Sequence, residues 1–373
     1  MNQLILSSKD EYKELKDFFE NSNMNSIFIV CTDAINFLEI RKFFNDLSKT
    51  IKITYFNEFL PNPTYESVVE GVKRFKESKS NFIVAVGGGS AIDVAKCIKL
   101  YANMDENKNY LEQEIISNDI SILAVPTTAG TGSEATKYAV IYYNGEKQSI
   151  SSESCIPKYV LFDSTALKTL PLYQKKATMI DALSHSMESY WSINSTIESQ
   201  EYSIKALELI IDNYEGYLNS EDEACEKMLQ AANIAGKAIN ITQTTAGHAM
   251  CYKLTSLYGI AHGHAAGLVN SELFPYMIRN IDKCRDNRGK DYLNKTFNYL
   301  NQILENEDFL RNLLKKLDLY NVDIKEEDID ILVNSVNTTR LKNNPVLLEK
   351  SDITVVYKKI LDRIKKGSKY GSK

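Results

Sequence analysis

Read from the N-terminus, the chain alternates short unbroken apolar runs with segments whose apolar residues return at helical spacing. NSIFIVCTD (25–33) reads as a β-strand closing on Asp33, and KITYFNEF (52–59) as a second, followed by the turn PNPT (61–64). ESVVEGVKRFKES (66–78) has the helical spacing, NFIVAV (81–86) is a buried-strand run that meets GGGS, DVAKCIKLYA (93–102) is again helical, and SILAVPTT (121–128) is another buried strand. Strand, helix and strand in this order predict a parallel sheet with crossover helices. Past about residue 165 the pattern changes: KKATMIDALSHSMESYW, SIKALELIIDNYEGYL, EACEKMLQAANIAGKAIN and EDFLRNLLKKLDL keep the 3.6-residue period with little β-branched clustering. The expected architecture is an N-terminal α/β domain over 1–165 and a helical C-terminal domain over 166–373, with DSTALKTLP (163–171) as the hinge. The closing GSKYGSK is polar and expected to fray.

Composition narrows the function. Of 373 residues, 43% are hydrophobic and 25% charged, the balance of an ordinary globular protein. A net charge of −5 provides no basic field, which argues against nucleic acid as a partner and asks for local positive charge if the substrate is anionic. Cysteines 31, 97, 155, 225, 251 and 284 show no CxxC pairing and read as reduced thiols. The N-terminus lacks the pattern of a signal peptide, and no apolar run is long enough to cross a bilayer. A cytoplasmic protein, with no membrane partner, is the expectation.

Two loops draw attention. VAVGGGSAIDVAK sets three glycines between a buried strand and a helix starting near Ser90, where free N–H groups and the positive helix end face any anion. AVPTTAGTGSEAT (124–136) likewise follows a buried strand and is dense in hydroxyls and small residues. Two such loops at one sheet edge suit a nucleotide pyrophosphate, although glycines at a strand-to-helix turn also have a purely structural use. Asp33, near a strand end, suits ribose hydroxyls and would repel a 2′-phosphate, favouring NAD(H) over NADP(H); capping a turn is its other reading.

All four histidines fall within one window. Asp181 and His185 stand four apart on a predicted helix and leave it on the same face. His248 and His262 lie fourteen residues apart, with Gly259 and Gly263 marking a break that puts His262 at a turn. One carboxylate and three imidazoles form a mixed oxygen and nitrogen set suited to Fe²⁺ or Zn²⁺, whereas Mg²⁺ or Ca²⁺ would want more oxygen. Each histidine alone also reads as a hydrogen-bonded core or surface residue.

The sequence resembles the iron-containing (group III) alcohol dehydrogenases through PNPT (61–64), GGGSAIDVAK (87–96), PTTAGTGSEAT (126–136), DALSHSMESY (181–190), GHAMCYKLTSLYGIAHGHA (247–265) and NNP (343–345), which occur in family order. The resemblance implies a Rossmann-like nucleotide domain and a helical metal domain. It implies metal ligands at Asp181, His185, His248 and His262, and a pyrophosphate turn at Gly88, Gly89 and Ser90. Further cofactor contacts fall on Asp33, Asn62, Thr127, Thr128 and Thr131, with Lys147 in a loop of variable length. It implies hydride exchange between nicotinamide and an alcohol or aldehyde, and a homodimer. Many members carry another histidine where this chain has Tyr252, which leaves proton relay to Tyr252, His264, a ribose hydroxyl or water; His264 reads either as a partner behind the ligands or as a plain surface residue.

Within the family, GHAMCYKLTSLYGIAHGHA and RLKNNP (340–345) look most similar to the phosphonoacetaldehyde reductases, which implies a phosphonate substrate. A phosphonate dianion wants Arg or Lys, and Arg340 and Lys342 are the foremost positions, with Lys137 and Lys253 behind them; each also reads as a solvated surface charge. Rival readings are a general dehydrogenase of small alcohols, diols or lactaldehyde, and a lyase resembling dehydroquinate synthase. A non-catalytic nucleotide-binding protein would leave the ligand set unexplained.

Overall fold

Residues 82–87 and 121–126 are almost wholly buried, as strands covered on both faces must be. They lie at the centre of the sheet seen in a computed structural model, which describes residues 3–22 and 24–368. Its strands are β1 (Leu4–Ser7), β2 (Ser26–Cys31), β3 (Lys52–Phe56), β4 (Phe82–Gly87), β5 (Ser121–Pro126), β6 (Tyr138–Tyr143), β7 (Glu146–Ser151) and β8 (Tyr159–Phe162). Six of them form a parallel sheet in the order β1-β8-β5-β4-β2-β3, and β6 and β7 form a separate antiparallel hairpin.

The side-chain period of two divides the sheet's core. Phe28 and Val30 of β2 join Ile83 and Ala85 of β4 in one apolar layer, while Ile27, Ile29, Val84 and Val86 join Leu123 and Val125 in the other. The chain runs outward from β2 to β3 and then returns to place β4 on the other side of β2. That reversal is a topological switch point, where parallel sheets open a ligand crevice beyond their C-terminal strand ends.

The helices are α1 (Lys9–Glu20), α2 (Ile40–Leu47), α3 (Tyr65–Ser78), α4 (Gly89–Tyr101), α5 (Ser164–Lys168), α6 (Leu172–Trp191), α7 (Ile197–Leu218), α8 (Asp222–Thr242), α9 (Ala246–Tyr258), α10 (His262–Arg279), α11 (Lys290–Ile303), α12 (Phe309–Lys316), α13 (Ile329–Asn334) and α14 (Lys350–Ser368). Among the described residues no helix is long and apolar enough to cross a membrane. The first compact unit extends to Pro171 and also takes Glu215–Gly236; the second holds Leu172–Tyr214 and the chain from Lys237 onward. A linear cut at 165/166 leaves out that exchange, because a helical period does not say which core a helix serves.

Several elements differ from the sequence reading. β2 stops at Cys31, and Asp33 opens a 3-10 turn (Asp33–Phe37) instead of closing the strand. β3 ends at Phe56, short of the expected 59. β1, β8 and the β6–β7 hairpin had no counterpart in the reading. Of the closing GSKYGSK, Gly367 and Ser368 continue α14, and the remainder lies outside the described residues.

Candidate metal centre and nucleotide loops

In the first unit, Gly87 and Pro126 are register partners, so the loops after β4 and β5 leave the sheet side by side. The N–H of Thr127 donates to Gly87 O at 3.1 Å and ties them together. Gly88 faces Thr128 and Gly89 faces Thr131; a Cβ on Gly89 would come within 3.0 Å of the Thr131 methyl. A bare backbone there, next to the first turn of α4, is the cradle an anion needs. Asn62 adopts left-handed backbone (φ 59°), and its N–H points to the Ser90 hydroxyl at 3.4 Å. Asp33 lies at the end of β2 beside the switch point and accepts from Asn57 Nδ2 at 2.7 Å. Lys147 lies on β7 opposite Tyr142.

Two residues that the sequence reading passed over hold these loops. On α4, Asp93 accepts from Ser133 Oγ at 2.6 Å and from the Val140 N–H at 3.1 Å. One turn on, the fully buried Lys96 donates to the carbonyls of Ser133, Thr136 and Tyr138 at 2.6, 2.8 and 2.7 Å. Burial raises the Asp93 carboxyl, and the Lys96 ammonium works against it. The signal was their spacing: charges at i and i+3 inside an otherwise apolar helix ask for buried partners.

In the second unit, α6 carries Asp181, His185 and Glu188 at i, i+4 and i+7 along one buried face. α9 brings His248 to them, and His262 is the first residue of α10. Gly259 supplies the expected break, with left-handed backbone (φ 67°) ending α9, whereas Gly263 lies inside α10 and breaks nothing. Its use is close approach: a Cβ there would fall 2.1 Å from Ala177 O and 2.5 Å from Asp181 Cβ. Helix α10 can therefore lie against α6 with His262 beside Asp181.

Donor atoms of Asp181, His248 and His262 all fall within 4.8 Å of one another. His248 Nε2 is 3.4 Å from Asp181 Oδ1, the separation of about 3.4 Å expected for two donors bound to one tetrahedral ion at about 2.1 Å. The His185 ring stacks on His248 (centroids 4.5 Å apart), with its Nε2 4.0 Å from Asp181 Oδ1. Asp181, His185 and His248 are buried, while His262 is half-buried.

Glu188, absent from the sequence reading, orients the set. Its carboxylate accepts from His248 Nδ1 at 2.6 Å, Asn270 Nδ2 at 2.8 Å and the Thr245 N–H at 2.6 Å. With Nδ1–H committed to Glu188, Nε2, which faces Asp181, is the nitrogen that would give up its proton to bind a cation. Burial pushes the Glu188 carboxyl up, but His248 and these donors outweigh it and hold it at about 2. Burial likewise opposes charge on Asp181, and the imidazoles of His185, His248 and His262 bring it far below the carboxylate range. His248 is raised to about 9, as burial yields to Glu188 and Asp181. The field of this pocket seeks positive charge, and its nitrogen and oxygen donors fit Fe²⁺ or Zn²⁺.

The remaining candidates separate. Tyr252 stacks on His262 (5.4 Å), and Arg340 lies over the Tyr252 ring at 4.7 Å with Nη1 donating to the phenol oxygen at 2.5 Å. His264 is neither on the surface nor turned to the set. It is buried, its Nε2–H donates to Leu319 O at 2.6 Å, and its Nδ1 meets the Tyr173 hydroxyl at 3.1 Å. Burial holds its imidazole below the ordinary value. Lys342 is exposed, Lys137 pairs with Glu153 at 2.9 Å, and Lys253 is half-buried.

These two sites, a glycine cradle on a parallel sheet and a carboxylate–imidazole set among helices, define a metal- and nucleotide-dependent oxidoreductase. The family model described as iron-containing alcohol dehydrogenase matches residues 2–164, and that of the Fe-containing alcohol dehydrogenase family, C-terminal, matches 175–361. The chain belongs to the iron-containing alcohol dehydrogenase family, oxidoreductases that act on alcohols and aldehydes with a divalent metal and NAD(H). It is 27% identical to 4-hydroxybutyrate dehydrogenase of Clostridium kluyveri, over 96% of this chain and 100% of that one. Among solved structures it is similar to sulfoacetaldehyde reductase of Bifidobacterium kashiwanohense in complex with NAD+ (TM-score 0.82, 25% identity, 96% of each chain). It is also similar to an iron-containing alcohol dehydrogenase of Thermotoga maritima (TM-score 0.80, 26% identity, 97% of this chain and 98% of that one).

Proposed function

We propose that this protein reduces a short aldehyde with an anionic tail, phosphonoacetaldehyde foremost, to the corresponding alcohol, 2-hydroxyethylphosphonate, with NADH as reductant. The observation that carries this reading is the Arg340 guanidinium, held against Tyr252, which in turn stacks on the ligand residue His262. A fixed cation beside the metal set is what a phosphonate, sulfonate or carboxylate tail requires. Two relatives support it by name, since 4-hydroxybutyrate carries a carboxylate and sulfoacetaldehyde a sulfonate.

Asp181, His185, His248 and His262 would hold the ion, and Gly88, Gly89 and Ser90, with Asn62, Thr127, Thr128 and Thr131, the nucleotide. When bound, the ion supplies a Lewis acid for the aldehyde oxygen and the nicotinamide supplies hydride. Asp33 would accept from ribose hydroxyls and disfavour NADP(H). Glu188 fixes the tautomer of His248. With both nitrogens of His264 engaged by Tyr173 and Leu319, the proton for the product oxygen is left to water or a ribose hydroxyl. The protein would work in the cytoplasm as a homodimer, its first unit taking the nucleotide and its second the metal and substrate.

The test is NADH consumption by the metal-loaded enzyme with phosphonoacetaldehyde, sulfoacetaldehyde, succinic semialdehyde, lactaldehyde and propanal. The phosphonate should give the highest kcat/KM. Comparable turnover of propanal would overturn the anionic-tail reading. A reaction that leaves NADH unconsumed would point to the lyase.

A further inference from the structure

Arg340 begins a 3-10 turn, Arg340–Asn343, whose position is set from several sides. Asn343 Nδ2 donates to Gln243 Oε1 at 3.2 Å and to Thr244 O at 3.3 Å, and the Ile193 N–H donates to Asn343 O at 3.1 Å. The next residue, Asn344, is fully buried and donates to Val346 O at 2.7 Å. The backbone of Arg340 is thus tied to the segment that leads into α9. Its side chain is tied to α9 itself, through Tyr252.

The contacts of the guanidinium are one-sided. Among the described residues it forms no ion pair with a carboxylate, and its one hydrogen bond is from Nη1 to the Tyr252 phenol. A guanidinium offers five N–H donors in a rigid fork, so Nε and Nη2 keep theirs for another acceptor. The Tyr252 ring under it stabilises the charge through its π-face without neutralising it. The same ring is fixed by its stack on His262. The result is a cation with undiminished charge, free donors and a fixed direction.

We infer that Tyr252, through its ring and its phenol oxygen, aims Arg340 at the tail of the substrate, so that the pair sets the preference for anionic over neutral aldehydes. This rests on the anionic-tail reading of the site. Tyr252 is here a positioning residue acting through Arg340. A tetrahedral dianion takes two parallel N–H···O bonds from Nε and Nη2 only if the fork is held in place, and the bond from Nη1 to the Tyr252 phenol, with the ring nearby, holds it. Lysine at 340 would keep the charge and lose both the plane and the fork.

The experiment is a double-mutant cycle on the metal-loaded enzyme, comparing kcat/KM for phosphonoacetaldehyde and propanal in the unsubstituted protein, Tyr252→Phe, Arg340→Lys and the double variant. Calorimetric titration with ethylphosphonate gives a reading independent of turnover. Tyr252→Phe keeps the ring and should lower the phosphonate-to-propanal ratio about tenfold, mostly through KM, the effect of losing one charge-assisted hydrogen bond. Arg340→Lys should lower it further, and adding Tyr252→Phe to Arg340→Lys should change the ratio less than twofold. Ethylphosphonate should bind about tenfold more weakly to Tyr252→Phe. If the unsubstituted enzyme shows no preference, both readings fall. If it shows the preference and Tyr252→Phe leaves both the ratio and ethylphosphonate binding unmoved, or lowers the ratio equally in the Arg340→Lys background, this inference alone falls.

Discussion

The carboxylate of Glu188 lies 2.6 Å from Nδ1 of His248, and this one contact decides which nitrogen of His248 faces Asp181. A glutamine at 188 keeps the shape but loses the charge that fixes the tautomer. Outer partners of ligating imidazoles are worth about 10- to 100-fold in metal affinity. Glu188→Gln should retain correspondingly less iron or zinc after dialysis against a chelator, as measured by elemental analysis, with helical circular dichroism unchanged.

Gly263 has no room for a side chain, because a Cβ would meet Ala177 O at 2.1 Å. Gly263→Ala should force α10 away from α6, cost about 3 kcal/mol in denaturant unfolding and separate His262 from Asp181. Metal content should fall with stability. An alanine variant of full stability and full metal content would contradict the close approach.

Lys96 holds two backbone carbonyls of the second nucleotide loop, Ser133 and Thr136, and that of Tyr138 just beyond it. Lys96→Met removes the cation and leaves those carbonyls, and the neighbouring Asp93, without it. Breaking such a buried network costs about 3–5 kcal/mol. NADH binding, followed by nicotinamide fluorescence, should weaken together with stability, while metal content stays near that of the unsubstituted protein because the proposed ligands lie in the other unit.

Asp352 joins the start of α14 to the rest of its unit. It accepts from Lys283 Nζ at 2.7 and 2.9 Å, from the Tyr276 hydroxyl at 2.7 Å and from the Glu349 N–H at 2.9 Å. Burial would raise its carboxyl, but the Glu349 N–H, Lys283 and Tyr276 outweigh that and bring it below the ordinary value. Its stabilising contribution is therefore complete above the unfolded carboxylate pKa of about 3.9 and is lost as pH falls through the lower folded value. Asp352→Asn should be less stable at pH 7 by about 2 kcal/mol, and the gap should close in urea titrations as pH falls through the lowered folded value.

The sheet from its centre out to the β3 edge was legible in the sequence, while the β1 edge, β8 and the separate hairpin were not. Phe82–Gly87 and Ser121–Pro126 are covered on both faces, so each reads as an unbroken apolar run. β1 is an edge strand with Leu4 51% and Ile5 39% exposed, and β7 is EKQSIS, too polar to stand out as a strand. The candidate ligand histidines stood out through scarcity and spacing together with family resemblance, and the structure brings His248 and His262 to Asp181. Glu188 was hidden because a glutamate one further turn along a helix looks like any solvated residue until Thr245, His248 and Asn270 fold onto it. Arg340 was visible as a charge, but its pairing is with Tyr252 on α9, 88 residues away in sequence.

The proposed ligand set would also be a cross-link. Asp181 and His185 come from α6, and His248 and His262 from the consecutive helices α9 and α10 more than 60 residues later, so a cation held by all four would fasten α6 to a pair of helices that the chain leaves far from it. Occupancy then becomes a term in the folding equilibrium by mass action. A free ion at about a thousand times its dissociation constant adds about 4 kcal/mol. Melting curves taken across a series of buffered iron and zinc activities would therefore rank the two ions for this protein before any substrate is in hand.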